Sequence, residues 1–170
     1  NKNYHVYGPK ILCSKDFGIP QNRRRIFIIA TKKEINYEFP IGSKKPTSVK
    51  SILEPNKIAK KYMISEKLWT GHVERKKRNK QRGVGFGYGR VDEQSKYTNT
   101  LSARYYKDGG EILVQTKNLQ RPRKLTPREC ARLQGFPDSF KIPVSDNQAY
   151  RQFGNSVTLP IIKKIFEKII

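Results

Sequence analysis

Residues 18–27 read GIPQNRRRIF. Three consecutive arginines, Arg23, Arg24 and Arg25, stand between a Gly-Pro turn and the apolar run Ile26 to Ala30. That run is β-branched and aromatic and holds neither Gly nor Pro, which predicts a strand buried on both faces. Alternation along the strand puts Arg23 and Arg25 on one side and Arg24 on the other. Upstream, YHVY and PKILCS are short apolar runs, and KDFGIPQ is a turn by its Gly and Pro. The first 31 residues therefore read strand, turn, strand. Charge runs normally sit in loops or on helix faces, and read from the residues alone these three are edge charges with no catalytic role.

Composition points to an anionic partner. The chain carries 36 Lys+Arg against 14 Asp+Glu, a formal charge of +22 over 170 residues. Self-repulsion on this scale calls for a polyanion, with nucleic acid ahead of a membrane surface. No stretch has the length and apolarity of a membrane span, and none reads as a signal peptide. Hydrophobic residues make up 35% and aromatics 11%, enough to build a core. Cys13 and Cys130 are far apart and have no Cys/His partners at zinc spacing, so no metal is expected. Both read as reduced, small buried residues of an intracellular protein. The opening residue is Asn1 rather than Met, which predicts a piece of a longer protein or a trimmed one.

Beyond the first strands, residues 32–50 are polar and punctuated by Pro40, Gly42 and Pro46. TSVKSILE predicts a short helix from Thr47. SEKLWTGHVERKKRNKQRG predicts a helix capped by Ser65, with Leu68, Trp69, His72 and Val73 as its apolar face and a basic C-terminal half. In GVGFGYGRV, Gly83, Gly85, Gly87 and Gly89 would share one face of a strand. Two readings stand: a bulged, open strand, or a face left bare so that another backbone can approach. YTNTLSARYYKDGGEILV reads as a hairpin turning at Asp108-Gly109-Gly110.

The last third is helical. Thr126, Pro127 and Glu129 form a capping box, and Gly135 ends that helix. Ser145 and Gln148 repeat the box, with Gly154 terminating. A closing helix places Ile162, Ile165, Phe166 and Ile169 on one face.

Four of these stretches, in order, resemble the DNA cytosine-5 methyltransferases. DFGIPQNRRRIFIIA is similar to that family's Gln-x-Arg-x-Arg motif, the eighth of ten. RPRKLTPRECARLQGFPDSF resembles the ninth and AYRQFGNSV the tenth, while TLSA falls where the family carries a Thr-Leu pair in its target-recognition domain. The family's earlier motifs, including its Pro-Cys nucleophile loop, are absent, and neither Cys13 nor Cys130 has the right context to replace them.

The resemblance implies an α+β chain: the C-terminal piece of an S-adenosylmethionine-dependent methyltransferase sheet, a small target-recognition lobe and a returning C-terminal helix. It implies boundaries at 1–31 for the end of the catalytic domain, 32–145 for the recognition domain and 146–170 for motif ten and the last helix. Residues 1–31 and 155–170 would then form one surface. It implies that Arg25 stabilises charge on a flipped cytosine, that Arg23 holds a backbone phosphate and the nucleophile loop, and that Gln21 supports that loop. Asn155, Ser156 and Val157 would contact S-adenosylmethionine, whose pocket is only partly present; a helix C-cap is a second role open to this segment.

The closest branch by resemblance is the Dcm-like one, acting on CCWGG, with relatives on CCGG or CCNGG. Arg90 and Arg104 would read guanine, supported by Tyr105, Tyr106, Lys107, Gly109 and Gly110, while Thr100 and Leu101 set the loop beside the flipped base. The other role open to this group is lobe core for Tyr105 and Tyr106 and a phosphate contact for Arg104. Arg75, Lys76, Lys77, Arg78, Lys80 and Arg82 would meet phosphates or form a solvated face. Arg121, Arg123 and Arg128 stand equally between phosphate contacts and a solvated face.

The expected partners are double-stranded DNA and an N-terminal catalytic half, in cis or as a separate subunit, with self-association of the isolated piece and no membrane. The setting is the bacterial cytoplasm at the nucleoid, within restriction-modification. The piece alone should transfer no methyl group. A non-catalytic basic nucleic-acid-binding module and a degenerate truncated gene product are the alternatives.

Overall fold

The computed structural model describes residues 3–45, 47–55, 58–116 and 120–169; Pro46 lies outside them. Five strands and five α-helices are found among the described residues, in the order β1 (His5–Cys13), β2 (Arg24–Thr31), α1 (Glu66–Gln81), β3 (Arg90–Val91), α2 (Tyr105–Asp108), β4 (Leu113–Val114), β5 (Arg123–Lys124), α3 (Pro127–Leu133), α4 (Asp146–Asn155) and α5 (Leu159–Phe166). The fold is mixed α+β with two small sheets. β1 and β2 form an antiparallel pair, and β4 pairs parallel with β3 and antiparallel with β5. No helix among the described residues is long and apolar enough to cross a membrane.

Two buried clusters organise the chain. The smaller holds Leu12, Phe17, Tyr37, Ile161 and Ile165, with Phe27 and Ile29 packed against it. It joins one face of the β1–β2 pair to α5. The Tyr7 hydroxyl donates to the Ile35 carbonyl at 2.8 Å and accepts from the Ile35 amide at 2.9 Å, which pins the segment after β2 across this face. The larger cluster includes Val49, Leu101, Tyr105, Leu125, Leu133, Tyr150 and Phe153. α4 thus packs into the larger cluster through Ala149, Tyr150 and Phe153.

The opposite face of the β1–β2 pair is open. Ile26 and Ile28 are 65% and 60% exposed, and Val6 and Ile11 on the partner strand are 62% and 61% exposed. The register places Ile11 directly opposite Ile26 and Val6 opposite Ala30, so these residues form one apolar surface. β2 is therefore buried on one face, not both.

Other local expectations change for physical reasons. Residues Val49–Ile52 form a 3₁₀ turn rather than an α-helix. Only Arg90–Val91 of the glycine-rich stretch are strand: Gly83, Gly85 and Gly87 take φ of +63°, +72° and +81°, and the backbone before β3 folds back along α1. There Tyr88 meets the edge of Trp69 at 5.1 Å, and the Lys76 ammonium lies 4.3 Å from the Tyr88 ring centroid. On α1, His72 is buried while Val73 is 42% exposed. The expected hairpin at 108–110 is the helical turn α2, closed by Gly109 in the left-handed region.

α3 has the expected capping box, with Thr126 accepting from the Glu129 amide and Glu129 accepting from Thr126. The same carboxylate accepts a bidentate pair from buried Arg123, at 2.7 and 2.8 Å, so Arg123 reaches no phosphate. In α4 the Ser145 side chain accepts from the Gln148 amide, but no reciprocal bond is made. Gly154 lies inside α4, which Ser156 caps. A Cβ at Gly154 would sit 2.3 Å from the Ser102 carbonyl oxygen, so this glycine permits close approach and ends nothing. α5 buries Ile161 and Ile165, one turn apart, and leaves Phe166 55% exposed.

Candidate active site and recognition surface

The turn before β2 is tied to Leu101, to the end of α3 and to the end of α4 by hydrogen bonds from its polar side chains. Gln21 is buried; its Nε2 donates to the Leu133 carbonyl and its Oε1 accepts from the Leu101 amide, each at 2.9 Å. Arg23 is also buried. It donates to the carbonyls of Leu101 at 2.7 Å, Gly154 at 3.0 Å and Ser156 at 2.8 Å. Backbone bonds from Thr98 to Pro20 and from Asn22 to Thr98 extend the clamp, and the Thr100 hydroxyl donates to the Asn22 carbonyl. One side-chain pair thus fixes the TLSA loop and the end of α4 against β2.

Burial, with the neighbouring Arg25 charge adding to it, lowers the Arg23 pKa to about 10. Arg23 presents no face to a backbone phosphate, because its guanidinium is spent on carbonyls; its Nε is buried without a partner among the described residues. Arg25 differs. It is exposed, and the bond found for its side chain among the described residues is to the adjacent Arg24 carbonyl, at 2.6 Å. The clamp therefore holds a rigid buried cation behind a presented one.

A second polar chain locks the C-terminal side. The hydroxyls of Ser14 and Thr158 lie 2.6 Å apart, and buried Gln134 donates to the Phe153 carbonyl at 2.8 Å. Sequence reasoning missed both Gln134 and Thr158. A polar residue directly after the buried Cys130, Ala131 and Leu133 of a capped helix was the signal for Gln134. Past α4, the Ser156 hydroxyl donates to Phe153 and its carbonyl is held by Arg23. Asn155 is exposed, with no side-chain hydrogen bond among the described residues, and Val157 is 46% exposed. Segment 155–157 thus offers an amide side chain next to fixed backbone.

Between residues 90 and 110 the expected DNA contacts separate into two groups. Arg90, Arg104 and Lys107 are exposed, and Thr100 partly so. Tyr105 and Leu101 are fully buried, so neither side chain can face a groove. The Tyr105 hydroxyl donates to the Ile112 carbonyl and accepts from the Leu125 amide. Gly109 and Gly110 are buried too, against Lys124 and against Arg75 and His72. Tyr106 carries the Arg151 guanidinium over its ring at 4.5 Å, and the hydrogen bond from Arg151 lowers its hydroxyl pKa.

On α1 and just beyond it, Lys77, Arg78, Lys80 and Arg82 are exposed. Arg75 is turned inward to Asp108 at 3.2 Å and the Gly87 carbonyl at 3.0 Å, and Lys76 is held over Tyr88. No signal in the sequence pairs Arg75 with Asp108 or Arg151 with Tyr106, because each partner comes from a distant element.

Comparison with solved structures places this architecture among methyltransferases. The Entamoeba histolytica methyltransferase EhMeth superposes with a TM-score of 0.75 at 21% identity, over 98% of this chain and 53% of that one. The S. pombe Dnmt2 methyltransferase gives 0.74 at 19% identity, over 97% and 57%. These likenesses speak to fold alone. The family model described as C-5 cytosine-specific DNA methylase matches residues 1–170, and the chain belongs to that family.

Among curated relatives, Type II methyltransferase M.SsoII of Shigella sonnei is 55% identical over 173 residues, 99% of this chain and 45% of that protein. Type II methyltransferase M.NlaX of Neisseria lactamica is 53% identical over 169 residues, 98% of this chain and 52% of that protein. The DNA-cytosine methyltransferase of Escherichia coli K12 is 39% identical over 189 residues, 92% and 39%. The chain spans about half or less of the length of these relatives.

Proposed function

We propose that this chain supplies the C-terminal part of a DNA cytosine-5 methyltransferase, which modifies a flipped cytosine in duplex DNA together with an N-terminal catalytic half. The observation that carries the reading is the clamp: Gln21 and Arg23 are consumed in holding the recognition loop and the end of α4, while Arg25 is presented beside them. In this reading Arg25 donates to the cytosine O2 as negative charge develops on the ring, and the preformed cation behind it avoids reorganisation during the step. Arg23 is a positioning residue. S-adenosylmethionine, when bound, supplies the electrophilic methyl group; Asn155 and Val157 fit one end of its amino-acid moiety by exposure, with Ser156 fixing the backbone between them.

The nucleophile comes from the other half. Cys130 is fully buried and burial pushes its thiol pKa well up, the wrong direction for attack. Cys13 is buried on β1. The open apolar face of β1–β2 supports a docking partner. Pro9 lacks an amide hydrogen and the ladder slips between Tyr7 and Lys10, both marks of a true edge strand. β2 has neither, and its outer edge suits a further strand from the N-terminal half. Without that half, self-association through Ile26 and Ile28 is expected.

The substrate belongs to the CCWGG, CCGG and CCNGG group, and the setting is the bacterial cytoplasm at the nucleoid. Co-expression with the N-terminal half, followed by bisulfite mapping, tests the reading. Methylation within a CC…GG context, and none from the chain alone, is the expected result; 5-methylcytosine formed by the chain alone overturns it.

A further inference from the structure

Gln134 is fully buried between the end of α4 and the start of α5. Its Nε2 donates to the Phe153 carbonyl at 2.8 Å, its Oε1 accepts from the Thr158 hydroxyl at 3.4 Å, and its backbone carbonyl accepts from the Leu159 amide at 2.9 Å. One residue thus holds both ends of the segment that joins the two helices. Gly135 makes the approach possible: it takes φ of +83°, and a Cβ there would sit 2.5 Å from the Pro160 ring.

Thr158 gives its hydroxyl proton to Gln134, so across the 2.6 Å contact with Ser14 it is Ser14 that donates. The other acceptor within reach of the Ser14 hydroxyl, the Arg23 carbonyl, is farther at 3.4 Å and already accepts from the Ser14 amide at 3.0 Å. The chain therefore runs from Ser14 to Thr158 to Gln134 to the Phe153 carbonyl, and each of its side chains is at most 2% exposed. A polar chain closed to water is rigid while every member is met and costly when one is lost. This one brackets residues 154–157. Within the bracket the Gly154 and Ser156 carbonyls are held by Arg23, and the Ser156 hydroxyl is held by Phe153. Asn155 and Val157 are left exposed on a fixed frame.

We infer that Gln134 is a positioning residue for the methyl donor: by fixing the end of α4 and the start of α5 at one spacing, it presents Asn155 and Val157 to the amino-acid moiety of S-adenosylmethionine in a preset arrangement. The inference rests on the proposed placement of that moiety at residues 155–157. It gives α3, at whose end Gln134 stands, a part in holding the cofactor.

The test measures binding of S-adenosylmethionine, by equilibrium dialysis, to the complete enzyme, with this chain and its N-terminal half. Gln134→Met keeps the volume and loses the side-chain bonds to Phe153 and Thr158; Thr158→Val loses one hydroxyl and Thr158→Ser keeps it. The first two should raise the cofactor dissociation constant on the order of 10-fold, as loss of a buried hydrogen bond does. KM for the cofactor should rise with it while kcat at saturation is kept. Thr158→Ser should bind as the wild type does. Val49→Ala, a packing loss elsewhere in the larger cluster, should lower the melting temperature and leave cofactor affinity unchanged. Should Gln134→Met not fold, Thr158→Val carries the test. Wild-type cofactor affinity in either folded variant overturns the inference, and so does a weakening shared equally by Thr158→Ser, by Val49→Ala or by DNA affinity. Asn155→Ala tests the placement itself: if it binds S-adenosylmethionine as the wild type does, or the wild type binds none, the cofactor reading of 155–157 fails and the role of Gln134 with it.

Discussion

Arg23 donates to the carbonyl of Leu101, 78 residues along the chain, at 2.7 Å. The contact joins the end of one lobe's hairpin to the loop of the other, and the same guanidinium holds Gly154 and Ser156. Everything proposed for Arg25 depends on this anchoring.

Arg23→Lys should therefore destabilise the protein by about 2 kcal/mol or more, because an ammonium cannot reach three carbonyls in one plane and buried acceptors are left unmet. Arg25→Ala should change stability by no more than about 0.5 kcal/mol, as an exposed position does. Urea denaturation of the two variants side by side checks the contrast.

Two glycine-to-alanine substitutions should have opposite signs. At Gly154 the new Cβ meets the backbone of Ser102 and Ala103 at 2.3 to 2.5 Å, and a loss of about 1–3 kcal/mol is expected. At Gly71, inside α1, a Cβ meets nothing within 4 Å, and a gain of about 0.5–1 kcal/mol is expected from helix propensity. Thermal melts of both decide whether close approach or helix capping explains Gly154.

Glu129 accepts from Arg123, Thr126 and the Glu54 amide in a site closed to solvent. Glu129→Ala strands the buried Arg123 charge and should cost about 3–5 kcal/mol. A double variant with Arg123→Met should recover part of that loss; a double-mutant cycle with no coupling would show that the pair is not formed.

Replacing Lys77, Arg78, Lys80 and Arg82 with Gln should flatten the salt dependence of DNA binding by about 0.9 in log–log slope for each phosphate that is no longer neutralised. Target choice should not change, since contacts to phosphates carry no sequence information. An unchanged slope would mean that this face of α1 points away from DNA.

Legibility in the sequence followed the range of the forces involved. The capping box at Thr126 and Glu129 and the Ser65 cap were readable because their partners lie within one turn. The strands around Arg23 were readable from composition, but not the open face of Ile26 and Ile28: a run that suits burial on both faces does not say whether the second cover is present. The glycine-rich stretch and the 105–110 turn misled local reading, because α1 and Arg75 decide those backbones from a distance. Gln21 and Arg23 stood out only through motif resemblance, and their bonds to Leu101 run in directions that no spacing rule predicts.

The most direct test of the account compares single-turnover methyl transfer with DNA affinity for Arg25→Ala in the complete enzyme. If Arg25 is the presented donor behind which Arg23 is fixed, the chemical step should fall by about 100-fold or more while the dissociation constant stays near that of the wild type. Equal losses in rate and affinity would make Arg25 a phosphate contact and contradict the account.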